Sequence, residues 1–272
     1  MVKIQVAVQV ALQVVPVLAA AEAKNLVFHK NMLLAAARSG DAGMVHALLQ
    51  HTSLPVDQPA NPETGATLLY MTSGAGHVEV VNMLLYLGAD VNNVHTADGV
   101  TPLYMASQNG HLGVVEVLLG RGAEVDKART DNGVTSLYVA SQNGHVGIVE
   151  MLLGRGAEVD KAKTDRGASP LFVASQEGHV DVVEVLLSRG AEVEKSCTDT
   201  GATPLYVASL KGNLGVVEVL LGKGAEPDKG SALNFGDTPL RVATRLAACS
   251  PDHQAIMELL TQRRRELMQP GA

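Results

Sequence analysis

Residues 133–166 read GVTSLYVASQNGHVGIVEMLLGRGAEVDKAKTDR, and nearly the same text returns one period earlier and one period later. Gly65, Gly99, Gly133, Gly167 and Gly201 are each separated by 34 residues. A period of this length marks a repeat array, in which each unit buries its apolar face only by stacking on its neighbours. Residues 99–132 show how one unit folds. Thr101 before Pro102 starts a helix, since the hydroxyl caps free backbone donors and proline is tolerated at the first helical position. Leu103, Ala106 and Ser107 continue it until Gly110, a residue suited to the left-handed turn that ends helices. A second helix carries Val114, Val115, Val117, Leu118 and Leu119 at helical spacing and stops at Gly122. The segment from Ala123 to Asn132 then leaves the helices as a long turn or hairpin projecting from the stack. Ala106, Ala140, Ala174 and Ala208 are small enough to let successive first helices approach closely.

Working outward, the array divides into a segment 1–23, a degenerate opening repeat and linker over 24–64, five regular repeats over 65–235, and a closing repeat with tail over 236–272. In the opening repeat, Met32, Leu33, Leu34 and Ala37 predict one short helix and Met44, Val45, Leu48 and Leu49 a second, with Gly40 and Asp41 between them. The prolines between Pro55 and Pro62 predict a loop. In the closing repeat, Thr238, Pro239 and Leu240 restart the pattern, residues 247–253 form a longer join containing Pro251, and Ala255, Ile256, Leu259 and Leu260 form a helix that Arg263, Arg264 and Arg265 end.

Residues 1–23 admit three readings. A basic start at Lys3, an apolar middle and an Ala-rich exit are the marks of a secretory signal. Gln5, Gln9 and Gln13 on one stripe, opposite Ile4, Val8, Ala11, Val15 and Leu18, read instead as an amphipathic capping helix. A membrane span is the weakest reading, because the glutamines leave a continuous apolar run well short of the ~20 residues needed.

Hydrophobic residues make up 46% of the 272-residue chain but aromatics only 3%, with no Trp, so the core must be built from Ala, Val, Leu and Met. A net charge of −7 argues against nucleic acid as a partner, which calls for a basic stripe. Cys197, in a projecting loop tip, and Cys249 match no metal or redox spacing and read as free thiols, favouring a reducing, cytoplasmic compartment.

The pattern Gly-x-Thr-Pro-Leu-x-x-Ala-x-x-x-Gly-His-x-x-Val-Val-x-x-Leu-Leu-x-x-Gly-Ala-x-Val at 99–125, repeated from Gly65, Gly133, Gly167 and Gly201, resembles the ankyrin repeat. The resemblance covers about residues 31–262 and implies an all-α solenoid of about seven stacked helix-turn-helix units with projecting β-turn or hairpin loops. Three departures stand out. The slot after Pro-Leu, usually His in the family, holds Tyr70, Tyr104, Tyr138, Phe172 and Tyr206, which predicts an aromatic ladder in place of a polar network. The period exceeds the family's usual ~33 by one residue. Ser136 replaces proline in one repeat.

Catalysis finds no support in these columns. His77, His111, His145 and His179 recur one per repeat, a layer apart, so no two share a metal, and Asn213 in the same slot shows that the imidazole is dispensable. Ser73, Ser107, Ser141, Ser175 and Ser209 recur likewise, with no base and orienting group assigned to any one of them. Glu116, Glu150, Glu184 and Glu218, beside Arg121, Arg155, Arg189 and Lys223, read as a solvated face with weak ion-pair ladders. No enzyme activity and no cofactor are expected.

The resemblance implies a protein or peptide partner, bound by the projecting turns and the exposed positions of the first helices on the concave face. Those slots hold Asp98, Val100, Gln108 and Asn109; Asn132, Val134, Gln142 and Asn143; Arg166, Ala168, Gln176 and Glu177; then Thr200, Ala202, Leu210 and Lys211. Arg129, Lys163, Arg166, Leu210 and Phe235 are the side chains best suited to anchor an interface. The expected function is a monomeric, non-enzymatic interaction scaffold. Two rivals stand beside it, a tethering portion of a larger enzyme or channel and a secreted effector binding another cell's proteins.

Overall fold

The computed structural model describes residues 27–51, 54–60, 65–94, 98–229 and 236–269. The segment 1–23 and Phe235 lie outside the described residues. The described chain forms seven helix pairs: α1 (27–39) with α2 (Ala42–His51), α3 (Leu68–Ala75) with α4 (Val78–Tyr86), α5 (Pro102–Gln108) with α6 (Leu112–Gly120), α7 (Ser136–Gln142) with α8 (Val146–Gly154), α9 (Pro170–Glu177) with α10 (Val180–Ser188), α11 (Pro204–Lys211) with α12 (Leu214–Gly222), and α13 (Pro239–Leu246) with α14 (Pro251–Met268). First helices pack on first helices from α3 to α13, and second helices on second helices from α2 to α14. The result is the all-helical solenoid that the 34-residue period predicts.

Each first helix starts in the same way. The hydroxyls of Thr67, Thr101, Thr135, Ser169, Thr203 and Thr238 accept a hydrogen bond from the backbone N–H three residues on, satisfying a donor the helix leaves open. Ser136 takes proline's place at the first position of α7 and the helix forms regardless, because Thr135 still caps it. Ala106, Ala140, Ala174 and Ala208 are fully excluded from solvent at the contacts between first helices. Larger side chains between the two helix rows, Leu118, Leu152, Leu186 and Leu220 among them, are equally buried and join one core that runs the length of the stack.

The recurring histidines are interlayer struts. His77, His111, His145 and His179 each direct Nε2 at a carbonyl of the preceding repeat, those of Arg38, Gly74, Gln108 and Gln142, at 2.9–3.1 Å. The geometry makes Nε2–H the donor. Gly144 shows what this requires: its φ is +74°, and a Cβ built there would stand 2.7 Å from Nδ1 of His179. Glycine is thus needed both for the left-handed turn and for the approach of the ring. Asn213 fills the same slot with its amide, donating to the carbonyls of Ser175 and Gln176.

The closing repeat departs from its sequence reading. Pro251 lies inside α14 at its first turn, with Ser250 as the cap, so the join is shorter than expected. His253 then reaches the carbonyl of Leu210 at 3.3 Å, and the hydroxyl of Ser250 donates to its Nδ1 at 2.7 Å. It is the last member of the histidine column, hidden in the sequence because it falls out of the 34-residue register. Nor do the arginines end α14, which runs on to Met268; Arg263 pairs with Glu266 and Arg264 with Asp228. Glu266, Leu267 and Met268 carry no helix-breaking residue, and the next proline is Pro270. On the second helices, Glu116, Glu150, Glu184 and Glu218 are exposed, as are Arg121, Arg155, Arg189 and Lys223, but the two columns form no ion pair with each other among the described residues. The face is solvated without the expected ladders.

Candidate functional site

The hairpins build a second tier beside the first helices. In each, a short turn closes on itself: Arg129 N–H donates to the Val134 carbonyl and Gly133 N–H to that of Arg129, both at 3.0 Å. Lys163 with Ala168 and Gly167, and Cys197 with Ala202 and Gly201, repeat the pattern. Successive hairpins are joined by one backbone bond, from Thr130 N–H to the Asp98 carbonyl, from Thr164 to Asn132 and from Thr198 to Arg166. Asn132 Oδ1 and Thr200 Oγ1 brace their own turns by accepting from Val134 N–H and Ala202 N–H.

Between hairpins and helices lies a column of aromatic side chains, one per repeat from Tyr70 to Tyr206. Tyr104, Tyr138 and Tyr206 are buried and Tyr70 and Phe172 half-buried, packed with Val100, Val134, Ala168, Ala202 and Cys197 in apolar clusters separate from the main core. Basic side chains seal part of it. The Arg129 guanidinium lies 5.8 Å from the Tyr104 ring centre and pairs with Asp98 at 3.1 Å and Asp131 at 2.7 Å. The hydrogen bonds to Asp131 are the main reason that the guanidinium holds its proton even more tightly than usual, and Asp131 is in turn held below the usual carboxylate range. The Lys163 ammonium lies 6.0 Å from the Tyr138 ring centre and pairs with Asp165 at 3.3 Å.

One hairpin farther on, the layer opens. A cavity of about 390 Å³ lies there, with Phe172, Val173, Cys197 and Tyr206 among its apolar walls and Arg166, Asp199 and Leu210 among its rim residues. Arg166 is 70% exposed and meets Asp199 at 3.8 Å; Leu210 is 38% exposed. Burial pushes the Cys197 thiol up to about 11, with the charge of Asp199 adding to the effect and Arg166 and Lys163 opposing it. Such a thiol is protonated at neutral pH and is a poor nucleophile. Burial likewise raises the Tyr138 phenol.

Of the partner slots and anchors named from the sequence, the cavity gathers Gln142, Lys163, Arg166, Ala168, Gln176, Thr200, Ala202 and Leu210, while Val134 is buried in its own hairpin. Elsewhere, Val100 is buried beside the aromatic column, and Asp98 and Arg129 hold each other. Asn109 and Asn143 donate to the carbonyls of Gly74 and Gln108 in the preceding repeat. Gln108, Glu177 and Lys211 are exposed outside the cavity. Tyr138, Phe172, Val173, Cys197, Asp199, Tyr206 and Val207 complete the lining and were not among the candidates. The spacing held a signal for two of them, since Cys197 and Asp199 each stand one period after Lys163 and Asp165. Cys197 is also no loop tip; it faces inward at the base of its hairpin and is 4% exposed.

Both cysteines are free thiols. Among the described residues no group of three or more His, Cys, Asp or Glu side chains could hold a metal ion, and no helix is long and apolar enough to cross a membrane. The Ser141 hydroxyl donates to the Leu137 carbonyl at 2.8 Å, while those of Ser73, Ser107, Ser175 and Ser209 are buried with no hydrogen-bonding partner.

A family model described as ankyrin repeats (3 copies) matches residues 4–95, 87–163 and 160–231. The chain belongs to the ankyrin-repeat family. Among solved structures, the crystal structure of the human ASB11 ankyrin repeat domain is similar with a TM-score of 0.73 at 27% identity, over 88% of this chain and 99% of that one. Ankyrin repeats are in general protein-interaction modules. In this ankyrin array the interlayer histidines, capping hydroxyls and stacked alanines are absorbed by the fold, and the hairpin tier is where one repeat differs from the next.

Proposed function

We propose that the chain is a non-enzymatic scaffold that holds an extended peptide, or a loop of a partner protein, along its concave side between first helices and hairpins. The observation carrying this reading is the opening over Phe172 and Cys197, where apolar walls meet the exposed Leu210 and Arg166. Interfaces draw most of their affinity from a few anchors in desolvated pockets, and a cavity of about 390 Å³ accommodates one or two large side chains. The second helices offer solvated charge columns, with Tyr86 and Leu112 as exposed hydrophobic side chains. Lys211 and Gln142 extend the concave surface to either side, so specificity would sum over neighbouring repeats.

Peptides enriched on the full chain from a random display library test the reading. Leu210→Asp is expected to weaken their binding by about tenfold or more, and the convex pair Glu150→Lys and Glu184→Lys to leave it unchanged. Peptides sensitive to the convex pair and indifferent to Leu210→Asp would contradict the concave assignment.

A further inference from the structure

Three hairpins share one backbone turn and carry different side chains at its first position. Arg129, Lys163 and Cys197 are equivalent: each donates its N–H to the carbonyl five residues on and accepts from the glycine four residues on, at 2.8–3.0 Å. In the first hairpin a guanidinium lies over Tyr104 and pairs with the acid two residues on, Asp131. In the second an ammonium lies over Tyr138 and pairs with the acid two residues on, Asp165. The third hairpin keeps both receptors, the ring of Phe172 and the carboxylate of Asp199, but puts neutral Cys197 where the cation belongs. The cavity described above lies at this position. The ion pair of Asp199 is a loose one to the exposed Arg166, at 3.8 Å against 2.7 Å for Asp131 with Arg129.

We propose that the partner supplies the missing cation: an arginine or lysine side chain of an extended peptide, laid over Phe172 and paired with Asp199. This rests on the concave-groove reading and adds the chemistry of the ligand. The molecule itself shows that the site type suits a cation, since two of its own basic side chains occupy the equivalent positions. The face of an aromatic ring attracts a cation, and a partly desolvated carboxylate strengthens the contact. Arginine fits better than lysine, because its flat fork can stack on the ring while donating to both carboxylate oxygens. Lys163 and Arg166 would repel such a group, but Lys163 is held by Asp165, and Arg166 is 70% exposed and only loosely paired with Asp199, so it can turn toward solvent as the ligand enters.

The test uses peptides enriched from a random display library on the full chain, resynthesised with each arginine replaced by citrulline and each lysine by norleucine. One such replacement is expected to weaken binding by about tenfold, and Asp199→Asn by a similar factor. Cys197→Arg fills the position from within, so it should weaken the same peptides by about tenfold while melting no lower than wild type. Cys197→Ser should bind as wild type does. Peptides indifferent to loss of their charge, or full-strength binding to folded Cys197→Arg, overturn the inference; should that variant misfold, Asp199→Asn at the rim decides, with undiminished binding overturning the inference. Peptides weakened by Leu210→Asp but not by charge removal sink this inference alone. Peptides indifferent to Leu210→Asp, or no enrichment at all, sink it together with the concave reading.

Discussion

Leu103, Leu137, Leu171 and Leu205 occupy one slot of successive first helices and are all at most 1% exposed, whereas Arg129, Lys163 and Cys197 occupy one slot of successive hairpins and share neither charge nor length. The helical tier keeps its large buried leucines because each layer must fit two neighbours at close-packed density, and its substitutions are few and conservative in size. The hairpin tier meets its neighbours through a backbone bond, side-chain pairs such as Arg129 with Asp98, and small apolar clusters, so its side chains can change without unstacking the array. Stability is therefore concentrated in one tier and individuality in the other.

The largest effect that would sharpen this contrast is a deletion in the helical tier. Leu171→Ala should cost about 2–5 kcal/mol in urea unfolding, the range for fully buried leucines; a cost below about 1 kcal/mol would mean that the layers are far looser than described. Next come two glycines with the same left-handed backbone. Gly144→Ala drives a methyl into His179, while Gly156, at φ +88°, has nothing within 4 Å of an added Cβ. The first should lose about 2–3 kcal/mol and the second about 1 kcal/mol, the backbone cost alone. Equal losses would show that the histidine strut adds nothing.

Within the hairpin tier, Arg129→Ala should cost about 1 kcal/mol through its lost stacking and ion pairs, and Arg166→Ala no more than about 0.5 kcal/mol, by equilibrium unfolding. The order would reverse if Arg129 were an open binding anchor and Arg166 part of the frame. The effect confined to high pH is that of Cys197. Its folded-state pKa lies above that of an ordinary thiol, so its contribution is fully present below about pH 8.5 and is lost as pH rises through about 11. Alkylation of the native protein at pH 8 should accordingly modify exposed Cys249 well before Cys197, and equal rates would contradict the burial described.

Much of the helical tier could be read directly from the chain. A strict 34-residue period, Thr-Pro at helix starts and glycine at helix ends are local signals, and each has a local structural cause. His253 escaped because the closing repeat shifts the register that exposes the other struts. The hairpin tier was harder for a different reason. Arg129 reads as a free anchor until Asp98, thirty-one residues earlier, is seen to hold it, and such pairings depend on how one hairpin lies on the next. The cavity was half visible, since Cys197 breaks the sequence Arg129, Lys163 in register, but a missing cation matters only once the ring and acid it would have met are placed.

The two native thiols offer the most direct measurement of where a partner sits. With a library-enriched peptide at saturation, the alkylation rates of Cys197 and Cys249 are compared with those of the free protein by mass spectrometry. Occupation of the concave groove predicts that Cys197 slows by about tenfold or more while Cys249, outside the lining, keeps its rate. Saturated binding with the rate at Cys197 unchanged would contradict the account.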